Sequence, residues 1–354
     1  MAPVYGSPRG GGWSPWTMLR PGPRSSLSRH LSWMPLSPED NAELAALISR
    51  AETVDDPPYR TTAQETAEYF IDPTYSGVAG RDEEGVMRAF GLVRLRPAGE
   101  IYVSMTGVVD PSRRGQGIGR SLLHWQAERA RHLVGAERAV SLADSAASRA
   151  RRQPAHVVTT VLEGDERMQE HLRHLGFEPR RWYRELRRSL SLDIPVVELD
   201  GFLRVEPWTP EIDDAVRRAH NQAIGEGWGS RSLTPEEWAQ GSAYFAPRWS
   251  FVATDRSGDR ARVAGYLRSS RYEQDWEALG WREGYTDMLG VLRDYRSRRV
   301  GSALLCAAMQ AYAADGMEYA AAGVDTDNPS GAVDLYESLG YEPTRGTVLY
   351  VLDV

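Results

Sequence analysis

The sequence contains no lysine, and all 42 of its basic residues are arginine. No lysine can therefore serve as a catalytic base, and any bound phosphate must be held by guanidinium groups or backbone amides. Cysteine is almost absent as well. Cys306 stands alone in the apolar run 303–308, which excludes an intramolecular disulfide and a multi-cysteine zinc site, so we expect a buried structural thiol. No apolar run approaches the ~20 residues of a membrane span. The first 29 residues are rich in Pro, Gly, Ser and Arg and lack the apolar stretch of a secretory signal. Residues 1–29 are expected to form a disordered tail, and the protein to be cytoplasmic with no membrane partner. The net charge of −7 is compatible with a local basic patch but does not point to nucleic-acid binding, which usually needs a basic face, and no nucleic-acid partner is expected.

What is present is a duplication. A chain of 354 residues with 41% apolar and 9% aromatic content is long enough for two packed cores. Residues 102–123 and 285–305 share one layout: an apolar β-like stretch, an Arg/Gly loop, then a helix opening on Leu-Leu. Leu175-Gly176-Phe177-Glu178-Pro179 matches Leu339-Gly340-Tyr341-Glu342-Pro343. The interval between loop and this element is longer in the first copy, and the surplus falls in the Ser/Arg/Ala-rich segment between Asp144 and Asp165. The starts also match, 30–40 with 202–211. In each, Ser37 or Thr209 precedes Pro-Glu as a helix N-cap with proline in the first helical position. The expected organisation is an N-terminal domain over 30–190, a linker over 191–200 and a C-terminal domain over 201–354. Each has a mixed α/β (α+β) fold of about 150 residues. In the second copy strands are expected near 202–207, 249–254, 260–268, 284–291, 319–325 and 346–352. Helices are expected near 210–224, 234–242, 300–314 and 328–339.

The loop Arg114-Gly115-Gln116-Gly117-Ile118-Gly119 follows a strand and opens a helix. The first amides of a helix have no intrahelical partner, the helix dipole adds positive charge there, and small residues admit a pyrophosphate close to the backbone. A Walker loop would need a lysine. A dinucleotide loop would come at the start of its domain, with an acidic residue about 20 positions on. This loop comes after several strands.

The Arg-X-X-Gly-X-Gly loop, with Leu335-Tyr336-Glu337-Ser338-Leu339-Gly340-Tyr341 downstream, resembles the GNAT superfamily of N-acetyltransferases. The resemblance covers roughly residues 30–354 and is narrowest to tandem GNAT proteins of actinobacteria, of the mycothiol synthase-like and antibiotic-cluster kinds. It implies two tandem domains, each a mixed central sheet flanked by helices, with two parallel strands splayed around acetyl-CoA or another acyl-CoA. In the first copy the cofactor would lie on Val108, Val109, Arg114, Gly115, Gln116, Gly117, Ile118, Gly119 and Arg120. In the second it would lie on Leu289, Val291, Arg296, Ser297, Arg298, Arg299, Val300, Gly301, Ser302 and Asn328. It further implies direct attack by an amine, with a base removing the amine proton and a tyrosine protonating the departing thiolate.

The two copies depart from this pattern at different places. Leu172 stands where the second copy has Tyr336, so the first copy lacks a proton donor. In the second copy Arg299 replaces the central loop glycine and is expected to be already helical, where arginine is tolerated. Candidate bases are Asp287 and Glu283, which we place with Tyr285 and Leu289 on one face of the strand entering the loop, and Glu226, beside Trp228 in a Gly-rich loop. His220 is expected on a helix surface. The favoured function is transfer of an acetyl group to the amine of a small molecule by the C-terminal domain, with the N-terminal domain holding acyl-CoA. The alternative is a non-catalytic pair of acyl-CoA-binding modules with a regulatory or structural role. A monomer or homodimer is expected.

Overall fold

The computed structural model describes residues 27–72, 74–97, 100–143, 153–223, 232–239, 244–327 and 331–354. Among these, 27–180 together with 348–354 form one compact unit, and 181–347 form the other. This differs from the expected 30–190 and 201–354 in two ways. The second half of a strand assigned to the first copy belongs to the C-terminal unit. The last seven residues of the chain belong to the N-terminal unit.

The N-terminal unit runs β1 (Ser32–Pro35), α1 (Asn41–Asp55), α2 (Ala63–Ile71), β2 (Tyr75–Arg81), β3 (Met87–Pro97), β4 (Ile101–Val109), α3 (Ile118–Ala143), β5 (Ala155–Leu162) and α4 (Glu166–His174). Strands β1 to β4 pair antiparallel in chain order, and β4 pairs parallel with β5. The helix α3 buries Ile118, Leu122, Trp125, Arg129 and Leu133, a 3.6-residue stripe that turns one face to the sheet. The chain's last strand supplies Val348 and Tyr350 to the core around Val157, Leu172 and Phe177. The expected tail ends earlier than residue 29. Leu27 is buried against Leu31, Trp33 and Trp125, and the Ser28 carbonyl accepts the Trp33 indole N–H at 2.8 Å. Residues 1–26 lie outside the described residues.

Strand β6 (Glu178–Ser189) leads into the C-terminal unit. There follow β7 (Leu203–Pro207), α5 (Asp213–Ala223), α6 (Pro235–Ala239), β8 (Phe251–Asp255), β9 (Arg262–Ser270), α7 (Trp276–Leu279), β10 (Glu283–Val291), α8 (Val300–Ala314), β11 (Tyr319–Asp325), α9 (Ala332–Ser338) and β12 (Glu342–Asp353). Strands β7 to β10 are antiparallel neighbours, β10 pairs parallel with β11, and β11 pairs antiparallel with β6. The short helix α7 was not foreseen. Asp275 precedes it and Gly280 ends it in the left-handed conformation, so one turn of helix is closed by a glycine stop.

Helix α8 is apolar nearly all round, and Cys306 lies in its buried face, as expected. Its Tyr312 is fully buried. The Tyr312 hydroxyl bonds Ser269 Oγ at 2.6 Å and Thr286 Oγ1 at 3.1 Å. The ring crosses Gly284, where a Cβ would come within 2.3 Å of it. A glycine in β10 thus lets a large side chain seat the helix directly on the strand, with its one polar atom satisfied.

His220 is not on a helix surface. It is 1% exposed, its Nδ1 lies 2.6 Å from the Tyr266 hydroxyl, and it packs against Trp238. Burial, with a smaller contribution from Arg268, lowers its pKa from 6.5 to about 4. The folded state therefore keeps this imidazole neutral while the unfolded chain protonates it near 6.5. Its contribution is complete above pH 6.5 and is lost as the pH falls toward 4, a total of about 3 kcal/mol. Between pH 7 and pH 5, His220→Gln should lose less melting temperature than the wild type. Equal losses in thermal denaturation would contradict this.

Candidate active site

Each unit carries a loop of the same backbone shape between its parallel strand and the helix that follows. In the N-terminal unit Arg114 is extended, Gly115 and Gly117 have φ of 78° and 80°, and α3 begins at Ile118. In the C-terminal unit Arg296 is extended, Ser297 and Arg299 have φ of 61° and 60°, and α8 begins at Val300. The leading arginines match too. Arg114 Nε donates to Val109 O at 3.2 Å and Arg296 Nε to Val291 O at 3.3 Å. Successive amides in such a turn, followed by the free amides of a helix start, form a concave set of donors suited to an anion.

The expectation that Arg299 is helical is therefore wrong. It occupies the left-handed region, as does Ser297, and for L-residues that costs roughly 1–2 kcal/mol each. The loop's path is imposed by the strand and helix on either side, and the C-terminal unit holds with serine and arginine the shape that the N-terminal unit holds with glycine. Arg298 lies over the Tyr295 ring at 5.7 Å, and Arg299 reaches within 3.8 Å of Asp200. Arg114 forms a bidentate pair with Asp55 at 2.5 and 2.7 Å.

Behind each loop the parallel strands part. Strand β10 pairs with β11 only from Glu283 to Thr286, and β4 pairs with β5 only from Ile101 to Ser104. The remaining residues of β10 and β11 diverge toward the loop. Leu289 and Val291 on the open part of β10 pack against the α8 core. Val108 and Val109 on the open part of β4 pack inward in the N-terminal unit. Beside the first loop Arg120, His124, Glu170, His171 and His174 line a cavity of about 340 Å³. Val300 and Gly301 are buried at the start of α8, with Ser302 half-buried behind them, and Gln116, Ser297 and Arg298 are exposed. Gly119 is half-buried beside Val109.

The units differ at the splay itself. Strand β4 keeps one register with β3 along its whole length. Strand β10 slips against β9 between Thr286 and Met288, so Asp287 is the extra residue of a bulge. A bulge bends a strand and changes which face the following side chains take. Gly284 and Thr286 meet Tyr312 of α8, and after the bulge Leu289 meets the same core. Leu289 consequently does not share a face with Tyr285 and Asp287, which corrects the simple alternation expected from sequence.

Around the bulge lies a half-buried polar face. Asp287 accepts from Ser270 Oγ and, at 2.9 Å, from the Tyr272 hydroxyl. Burial raises its pKa, while those two bonds and the Arg268 charge oppose the rise. The Tyr285 hydroxyl donates to Glu185 at 3.0 and 3.3 Å. Glu283 accepts from the Trp281 indole at 2.8 Å, and burial raises its pKa too. Glu185 and Tyr272 were missed in the sequence. Glu185 lies on β6, in the part of the first copy that folds with the second, and no local motif marks it.

Tyr336 on α9 is 4% exposed and packs edge to face with Tyr341 at 5.1 Å. Burial raises its pKa, and no hydrogen bond to a described residue opposes this. Leu172 occupies the matching place in the other unit and is fully buried. Glu226, Trp228 and Asn328 lie outside the described residues. No group of three metal-ligating side chains and no helix long and apolar enough to cross a membrane occurs among the described residues.

Two repeated sheets with a splayed parallel pair, each followed by an anion-binding turn and helix, define an acyl-CoA-dependent transferase fold. Residues 41–155 match the acetyltransferase (GNAT) family and residues 247–343 the acetyltransferase (GNAT) domain. Together these take in more than half of the chain, which belongs to the GNAT acetyltransferases as an N-acetyltransferase with two such domains in tandem. Mycothiol acetyltransferase of Streptomyces coelicolor is 29% identical over 248 residues, 69% of each chain. A GCN5-related N-acetyltransferase from Sphaerobacter thermophilus superposes with a TM-score of 0.67 at 21% identity, over 92% of this chain and 96% of the other. A tandem GNAT protein from the clavulanic acid biosynthesis pathway superposes with a TM-score of 0.65 at 16% identity, over 91% and 98%.

Because Arg299 is held left-handed at a cost, Arg299→Gly should stabilise the protein by about 0.5–1 kcal/mol, the relief of strain being partly offset by greater freedom in the unfolded chain. Chemical denaturation measures it, and a loss of stability would contradict the reading of the loop.

Proposed function

We propose that the C-terminal unit transfers the acetyl group of acetyl-CoA directly to the amine of a small molecule, and that the N-terminal unit holds acyl-CoA without catalysing transfer. The observation that carries this is the bulge. It sets a half-buried carboxylate, Asp287, on the first residue of β10 past the parallel pairing, where the strands open. Strand β4 has no such irregularity, and its unit has Leu172 in the place of Tyr336. Membership of an enzyme family favours this over a purely regulatory pair of binding modules.

The loop residues 296–302 would hold the pyrophosphate on backbone amides, with the guanidinium groups of Arg298 and Arg299 adding charge in exposed positions. The open ends of β10 and β11 would flank the pantetheine arm, and acetyl-CoA supplies the activated acetyl thioester. Asp287 serves as base for the amine proton, directly or through a water. Of the described carboxylates we favour it because Glu283 lies four residues back, in the paired stretch, under Trp281. Its pKa is raised above the ordinary aspartate range, which strengthens it as a base, while Arg268, Ser270 and Tyr272 keep the ionised form accessible. Tyr336 serves as acid. Burial keeps its phenol protonated at neutral pH, the form that can give a proton to the departing thiolate.

Thiol release from acetyl-CoA with a panel of amines tests the assignment. Tyr336→Phe and Asp287→Asn should each lower kcat by about 10²-fold or more, whereas Leu172→Met should leave it near the wild-type value. Equal rates in Tyr336→Phe and wild type would remove the C-terminal unit as the catalyst. Tyr272→Phe takes away a hydrogen bond that favours the Asp287 carboxylate, so the acid limb of its kcat/KM profile should move to higher pH. A shift to lower pH would contradict Asp287 as the base.

A further inference from the structure

The polar face around Asp287 has a definite hydrogen-bond polarity. The Tyr285 hydroxyl gives its proton to Glu185 at 3.0 and 3.3 Å. The Tyr272 hydroxyl gives its proton to Asp287 at 2.9 Å, and Ser270 Oγ donates to the same carboxylate. The Trp281 indole donates to Glu283 at 2.8 Å. Arg268 is buried, its guanidinium 5.2 Å from the Trp238 ring centre and 4.7 Å from that of Phe245. Four donors on the cleft face are therefore engaged inside the protein. A hydroxyl whose proton is committed keeps only the capacity to accept, and an ionised carboxylate only accepts.

Glu185 sets this polarity at the mouth of the splay. It pairs with Gly323, the first β11 residue past the parallel register. A Cβ on Gly323 would stand 2.9 Å from the Tyr285 hydroxyl and 3.2 Å from Glu185 Oε1. The bare backbone of Gly323 lets this pair sit directly over the point where the strands open. The Tyr272 and Tyr285 rings meet nearly edge to face at 5.8 Å, so the two committed hydroxyls belong to one surface.

We propose that Glu185 is a specificity-determining residue of the acceptor site, holding the Tyr285 proton so that the Tyr285 and Tyr272 hydroxyls and the Asp287 carboxylate meet the substrate as acceptors and select a primary amine that arrives as an ammonium. This rests on the C-terminal unit being the catalyst. A primary ammonium brings three N–H donors and no acceptor to such a surface, and a secondary ammonium brings two. Asp287 then takes the proton that frees the attacking nitrogen.

The test compares tyramine, cadaverine and glucosamine, and the N-methyl derivative of whichever is turned over fastest, in wild type, Glu185→Gln and Tyr285→Phe. The glutamine can donate to Tyr285 and turn its proton toward the cleft. Wild type should favour the primary amine over its N-methyl form by at least tenfold in kcat/KM. Both variants should bring that ratio below threefold, chiefly by raising the amine KM tenfold or more, with the KM for acetyl-CoA and the melting temperature little changed. A ratio unchanged in either folded variant would overturn the inference and leave the catalytic assignment standing. No turnover of any amine by wild type would overturn the catalytic assignment, and the inference with it.

Discussion

Everything at the candidate site depends on how short the parallel pairing is. Four residues of β10 hydrogen-bond to β11 and the rest do not. Two strands that stay paired present no backbone to a ligand, whereas strands that part expose amides and carbonyls on both sides of a cleft. The helices enforce the parting. Tyr312 fixes α8 onto β9 and β10 at the paired end, so the loop at residues 296–299 must turn back within a few residues to start the helix. That turn requires left-handed backbone at two positions, and the protein keeps it even where serine and arginine have replaced glycine.

The same frame occurs twice, with different side chains on it. Both units have the splay and both have the left-handed turn. Of the two strands that lead into the loops, β10 has a bulge and β4 keeps its register, and the C-terminal unit has Tyr336 at the place of Leu172 and sets Asp287, Tyr285 and Glu185 beside its opening. The exchange of strands adds to this difference. Residues 181–189 fold with the C-terminal unit and carry Glu185 to Tyr285. Residues 348–354 fold with the N-terminal unit, where Asp353 meets His156 at 2.6 Å. Neither contact can be expected if each repeat is taken to fold on its own segment.

The repeat, the loops and most elements of the second copy were legible in the sequence because each has a local cause: apolar periodicity in α8, alternation in β9 and β10, and Gly/Arg turns at fixed offsets. Leu172 opposite Tyr336 was legible for the same reason. What was not legible depends on pairing between distant segments. The bulge at Asp287 is a relation between β10 and β9, so the strand's own alternation placed Leu289 on the wrong face. Glu185 lies 100 residues before Tyr285. His220 carries no mark of burial in its neighbours, and only the Tyr266 hydroxyl and the Trp238 ring explain why a histidine is there. Arg299 was misjudged because a non-glycine residue is a poor indicator of left-handed backbone, and the closure of the loop overrides that preference here.

The division of labour proposed for the two units makes the C-terminal unit the catalyst and the N-terminal unit a holder. A crystal structure of the full chain with acetyl-CoA tests it most directly. The acetyl thioester should lie between the open ends of β10 and β11, its carbonyl carbon beside Asp287 and its sulfur within hydrogen-bonding reach of the Tyr336 hydroxyl. An acetyl thioester bound only between β4 and β5, with residues 287–291 and 323–325 making no contact to it, would make the N-terminal unit the catalyst instead.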